Sequence, residues 1–222
     1  MAGFAPIAAA LWCIAALLVT GVIGVAIARR HWARWLIYGN CLIVSLLGCW
    51  VAGVHLLLAP IAASAIVLPL GIPWIGAHFS IDALAAFFLV VINLGGAAAS
   101  LYGLGYGRHE TAPGRVLPFF PVFLAGMNLV LVAADAFTFL LSWEFMSLAS
   151  WALVMTHHRE EGNRTAGYVY IVMASLGTLA LLLAFGLMAG PEGGYAFATM
   201  SGQGVSRDLA GLVLGLALVG TG

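Results

Sequence analysis

Of the eight acidic side chains in this sequence, Glu144 is the one whose surroundings ask for chemistry. It sits near the middle of FTFLLSWEFMSLASWALVM (137–155), a stretch otherwise suited to hydrocarbon. A carboxylate at the centre of a bilayer costs about 2.5–3.5 kcal/mol on insertion scales, so an acid kept there is a functional candidate by default. On a helix, Ser147 at i+3 and Trp151 at i+7 share its face, which places a hydroxyl one turn away and turns the acid into the bundle. Two readings fit: a carboxyl that takes up and releases a proton, and a protonated or hydrogen-bonded acid that ties helices together. Where this helix ends, His157 and His158 stand beside Arg159, Glu160, Glu161 and Arg164. Imidazoles and carboxylates exchange protons near neutral pH, so this segment reads as a proton entry, a contact for a peripheral subunit, or a solvated loop.

The other polar candidates have structural explanations. Ser80 or Asp82 in FSIDALAAFF and Asp135 in AADAFTF precede apolar runs, where such a side chain caps a helix start. Asn93 and Asn128 are amides inside apolar runs, suited to holding helices together or supporting a water file. His55 and His78 fall near the ends of spans and read as interface anchors, as do many of the seven tryptophans. Cys13, Cys41 and Cys49 lie in apolar stretches without metal-binding spacing and read as small buried hydrophobes. No phosphate-binding glycine loop, Cys-x-x-Cys pair, nucleophile elbow or His-x-x-x-His pair is present. A self-contained redox or hydrolytic enzyme is therefore not expected, nor a bound cofactor or metal.

The elements that must hold Glu144 are membrane spans. The chain is 64% hydrophobic and 7% charged, against roughly 25% charged in a soluble domain. Its formal net charge of +0 offers no basic surface to nucleic acid. Apolar runs near the roughly 20 residues that cross a bilayer fall at about 6–28, 35–58, 81–106, 116–134, 136–156 and 166–190. A seventh begins near Asp208 and reaches Gly222 after about 15 residues, roughly 22 Å of helix. The expected fold class is all-α: a polytopic transmembrane helical bundle with six complete spans and a truncated seventh, forming one membrane domain over 1–222. The first run lacks a basic segment before it and is too long for a cleaved signal, so it reads as a retained helix.

Seven of the eight basic residues, all arginines, lie in RRHWAR (29–34), GRHETAPGR (107–115) and HHREEGNR (157–164). Alternating topology puts these three segments on one side, cytoplasmic by the positive-inside rule, with the N-terminus outside. Arg207 is left on the opposite side. The segment at 59–80 is apolar but interrupted by Pro60, Pro69 and Pro73, so a short hairpin or re-entrant segment on the outer face is expected. The Gly-xxx-Gly pairs Gly103/Gly107, Gly186/Gly190 and Gly211/Gly215 could permit close helix contacts, although chance matches abound in a chain with 28 glycines.

LLSWEFMSLASWALV (140–154), followed by NRTAGYVYIVMASLGTLALLLAFGLM (163–188), resembles the antiporter-like proton-translocating subunits shared by respiratory complex I, Mrp antiporters and membrane-bound hydrogenases. Within that group it most resembles the large membrane subunit of hydrogenase-4 and formate hydrogenlyase. The pattern Trp143-Glu144-x-Met146-Ser147-Leu148-x-Ser150-Trp151 carries the likeness, and FSIDALAAFFLVVINLGGAAASLYGLGY (79–106) supports it. The resemblance implies that Glu144 is the relay glutamate, paired with a lysine in a later broken helix expected beyond LVLGLALVGTG (212–222). The chain then corresponds to the N-terminal part, roughly a third, of a larger subunit of the inner (cytoplasmic) membrane. It would hold no cofactor and would couple electron transfer in partner subunits to proton movement. Its partners would be other membrane and peripheral subunits, lipid, and a chain carrying the missing helices. A non-conducting structural fragment and an Mrp-type cation/proton antiporter subunit remain as alternatives.

Overall fold

The computed structural model describes residues 6–58, 64–69, 76–107, 112–158, 161–190, 193–202 and 206–221. The helices are α1 (Pro6–Ile27), α2 (Ala33–Leu58), α3 (Ala83–Tyr106), α4 (Pro113–Val116), α5 (Phe119–Val132), α6 (Ala136–Val154), α7 (Glu161–Ala189), α8 (Phe197–Gly202) and α9 (Arg207–Thr221). Among the described residues, six apolar stretches are long enough to cross a membrane, the fourth being α4 and α5 together. The protein is thus a multi-pass membrane protein built as a helical bundle. Its exposed Trp12, Trp50, Leu57 and Leu84 are what a lipid-facing surface requires.

Local chemistry sets the helix boundaries. Asp82 caps α3, its Oδ1 accepting the Ala85 N–H at 2.7 Å, and Asp135 caps α6 through the Thr138 N–H at 2.8 Å. Pro113 starts α4 at a position where its missing N–H costs nothing. Gly190, at φ 62°, closes α7 in the left-handed conformation that favours glycine. α7 begins several residues before the apolar run that announces it, so Glu161 and Arg164 are helical rather than part of a loop.

Between α2 and α3 the chain forms an antiparallel hairpin of β1 (Ser64–Leu68) and β2 (Ala77–Ile81), pairing Ser64 with Ile81 and Leu68 with Ala77. It is the one two-stranded sheet among the described residues, and it agrees with the expected hairpin. Pro69 follows β1 directly. Along β2, Ala77, Phe79 and Ile81 are buried and alternate with half-buried His78 and Ser80, the period of a strand with one face on a core. Pro60 and Pro73 lie outside the described residues.

The hairpin closes one end of the principal core, which α1, α2, α3 and α5 form around Leu17, Ile37, Cys41, Leu89, Leu124 and Val132. A smaller cluster joins Ala136, Ala189 and Met200 near the start of α6. Of the glycine pairs, a methyl group at Gly103 would lie 2.6 Å from the Tyr38 ring, so that position does serve packing. Gly186, Gly211 and Gly215 have nothing within 4 Å and mediate no close approach among the described residues.

The described parts of the three arginine-bearing segments share an end. Arg115 donates to the Thr156 carbonyl at 3.4 Å and contacts the His158 ring, while Gly114 lies against Ala28. The hairpin, the α5–α6 junction and residues 193–197 gather at the opposite end, where Ala136 N–H donates to Tyr195 and Ala134 N–H to His78. Arg108, Arg159 and Glu160 lie outside the described residues.

Candidate functional site

The α6 helix carries the site. Its first turn is fixed by Asp135, which is only 1% exposed. The Asp135 carboxylate accepts from the Thr138 N–H and the Thr138 hydroxyl, and from the backbone N–H of His78 at 3.1 Å. The His78 ring adds Nδ1 at 3.3 Å, within ion-pair distance but without hydrogen-bond alignment. One carboxylate therefore anchors the glutamate helix to β2, and short β-bridges from Ala133 to Phe79 and from Asp135 to Ala196 extend that anchor on both sides.

From this fixed start, Glu144 lies eight residues along α6, about 12 Å, with ten more to Val154. That is mid-span. The side chain is half-buried, and its Oε1 is fully enclosed without a hydrogen-bond partner. No arginine or histidine forms an ion pair with it among the described residues.

Its direction follows from helix geometry. A methyl group at Gly126 would lie 2.9 Å from Met146 Cα, so Met146 marks the face of α6 packed on α5. Glu144, two residues earlier, is turned about 160° from that face. Trp151, within about 20° of Glu144, has its Nε1 3.6 Å from where a methyl group at Gly167 of α7 would lie. The carboxyl therefore points to the α7 side of α6. Ser147 is buried at 4% exposure on the adjoining part of that face, but no hydrogen bond joins it to Glu144 among the described residues.

The two histidines do not join this group. Thirteen residues of helix and 3₁₀ turn separate Glu144 from His157, roughly 20 Å. The His157 side chain lies outside the described residues. His158 meets the Arg115 guanidinium instead. The structure thus brings Ser147 and Trp151 to the Glu144 face and leaves His158 at the end of the span.

A second polar centre lies across α5. Asn93 Nδ2 donates to Asn128 Oδ1 at 2.7 Å and to the Leu89 carbonyl at 2.9 Å, and Asn128 Nδ2 donates to the Leu124 carbonyl at 2.8 Å. This pair ties α3 to α5, the structural role that buried amides suggest. The His78–Asp135 contact, by contrast, escaped sequence reasoning, because nothing local links residues 57 apart. No cluster of His, Cys, Asp or Glu able to hold a metal occurs among the described residues.

Residues 133–221 match the family described as NADH:quinone oxidoreductase/Mrp antiporter, TM, a segment that starts just before α6. An uncharacterized protein of Mycobacterium tuberculosis (strain ATCC 25618 / H37Rv) is 36% identical over 178 residues, covering 79% of this chain and 27% of its own. Hydrogenase-4 component B of Escherichia coli (strain K12) is 36% identical over 143 residues, covering 64% of this chain and 21% of its own. The chain therefore spans about a quarter of the length of these relatives. Among solved structures, the Mrp complex from Dietzia sp. DQ12-45-1b superposes with a TM-score of 0.77 at 23% identity, over 96% of this chain and 40% of that one.

Proposed function

For an antiporter-like membrane chain related to hydrogenase-4 component B and to NADH-quinone oxidoreductase subunits, we propose a part in proton translocation, with Glu144 as the relay carboxyl. The chain is the N-terminal part of a proton-translocating membrane subunit in a hydrogenase-type or complex I-type assembly. Partner subunits carry the redox centres, and electron transfer there drives proton movement here. The observation that carries this reading is the enclosed, unpartnered Oε1 of Glu144 at mid-span. A polar atom left unsatisfied inside a membrane bundle is costly, and a proton exchanged with a further group on the α7 side gives it a use. Ser147 and Trp151 shape the face across which that exchange runs. His157 and His158 stand at the span's end, which is cytoplasmic on the positive-inside rule, with the N-terminus outside.

Hydrogenase-type coupling has sequence support at 36% identity. Exchange of the Mrp kind has a likeness of fold at 23%. The test uses membrane vesicles bearing the assembled complex, with a pH-sensitive dye reporting proton movement on addition of electron donor. Glu144→Gln keeps size and hydrogen-bonding capacity but removes the exchangeable proton. Dye response is expected to fall by at least about tenfold while assembly and electron transfer to an artificial acceptor persist. An unchanged response removes Glu144 from the pathway. Loss of assembly instead identifies the acid as a structural tie.

A further inference from the structure

At the hairpin end of the bundle, α3, α5, α6 and α8 leave a groove of about 580 Å³. Its wall includes Leu84 and Phe88 of α3, Leu131 of α5, Phe139 of α6 and Phe197 of α8, and Asp82 stands at its mouth. From Asp82 to Phe88 the wall descends six residues, about 9 Å. We propose that this groove binds a phospholipid with a primary ammonium headgroup, phosphatidylethanolamine, one acyl chain lying along the wall and the ammonium resting on Asp82.

Depth and charge both support this occupant. The 24 residues of α3 measure about 36 Å against a hydrocarbon core of about 30 Å, so its capping residue sits at headgroup level while Leu84 and Phe88 reach acyl chains. Asp82 is exposed and uses Oδ1 for the Ala85 N–H. No basic side chain pairs with it among the described residues. Asp82 is itself the α3 cap and Asp135 caps α6; a full carboxylate charge exceeds the roughly half elementary charge at a helix start, so the mouth is left negative.

An anionic headgroup is repelled there and a cationic one attracted. Ser80 and Ser201 also border the groove, and the Ser201 hydroxyl, which donates to Ala198, still accepts. A primary ammonium has three N–H donors for this carboxylate and these hydroxyls. A quaternary choline has none, which makes ethanolamine the preferred headgroup.

The proposal is tested on the full chain in its native membranes and after mild detergent extraction. Photoactivatable ethanolamine, choline and glycerol phospholipids are compared for crosslinking to peptides containing Leu84 and Phe88, and native mass spectrometry reads lipid retained on extraction. Wild type should favour the ethanolamine lipid by about fivefold, the upper range for an exposed ion pair. Asp82→Asn, which keeps a good capping side chain, should abolish that preference while leaving total lipid unchanged. Ala198→Trp, which fills the groove, should reduce all three lipids. Equal crosslinking by the three lipids in wild-type membranes overturns the proposal, as does an undiminished preference in Asp82→Asn. Crosslinks from the groove to a protein segment in place of lipid overturn it too.

Discussion

Asp135 and Asp82 are both helix caps, yet their substitution should have very different consequences. Asp82 is exposed and accepts one backbone N–H, so Asp82→Ala should cost about 1 kcal/mol, an ordinary cap. Asp135 is 1% exposed and accepts from the Thr138 N–H, the Thr138 hydroxyl and the His78 N–H. Alanine there removes the cap, about 1 kcal/mol, and leaves the half-buried His78 N–H without a partner, up to about 1–3 kcal/mol more. The Thr138 hydroxyl can turn to another acceptor and adds little. The sum is about 3 kcal/mol, and at roughly 2–4 °C per kcal/mol for a chain of this size the melting temperature should fall by about 6–12 °C. A thiol-reactive fluorogenic dye gives the readout in lipid nanodiscs on a Cys13→Ala, Cys49→Ala background, because those two thiols are only half-buried whereas Cys41 is fully buried and reacts on unfolding. Asp135→Asn, which keeps one oxygen for the cap, should fall between the two. If Asp135→Ala melts with Asp82→Ala, the carboxylate does not anchor the hairpin to the glutamate helix and the reasoning fails.

Two further outcomes follow from packing inside the membrane. The Asn93–Asn128 hydrogen bond of 2.7 Å should show a coupling of about 0.6–1.7 kcal/mol in a double-mutant cycle to leucine, the range for interhelical bonds in membranes; a coupling of zero would make the two amides independent. Gly126→Ala places a methyl group 2.9 Å from the Met146 backbone, which cannot turn aside, so it should destabilise by about 1–3 kcal/mol. Gly95→Ala, with nothing within 4 Å, should be neutral or slightly stabilising in the same thiol assay.

The spans were legible because hydropathy over some 20 residues is a local property, and Asp82 and Asp135 could be recognised as caps because a cap acts on N–H groups three residues away. Legibility ended where partners are distant in sequence. His78 meets Asp135 across 57 residues and Asn93 meets Asn128 across 35, and no periodicity encodes such pairings. The start of α7 was obscured for another reason. Its first turn, with Glu161 and Arg164, is polar, so hydropathy places the start late, although an acid in a first turn favours helix there. His158 looked like a proton carrier by type alone. Its neighbour Arg115 came from a segment more than 40 residues away, and only the fold reveals that contact.

The two polar centres on either side of α5 and α6 differ in how their polar atoms are satisfied. Asn93 donates to Asn128 and to its own helix's Leu89 carbonyl, and Asn128 donates to its own helix's Leu124 carbonyl, so the contribution of this pair is stability. Glu144 sits at comparable depth with an enclosed oxygen that nothing in the described structure satisfies. A tie between helices would need a donor for that oxygen, since an unpaired buried polar atom costs about 1–3 kcal/mol and gains nothing as a tie. On the proposed relay reading, the orientation of this carboxyl toward α7, away from the amide pair, gives the side on which an exchange partner is to be sought.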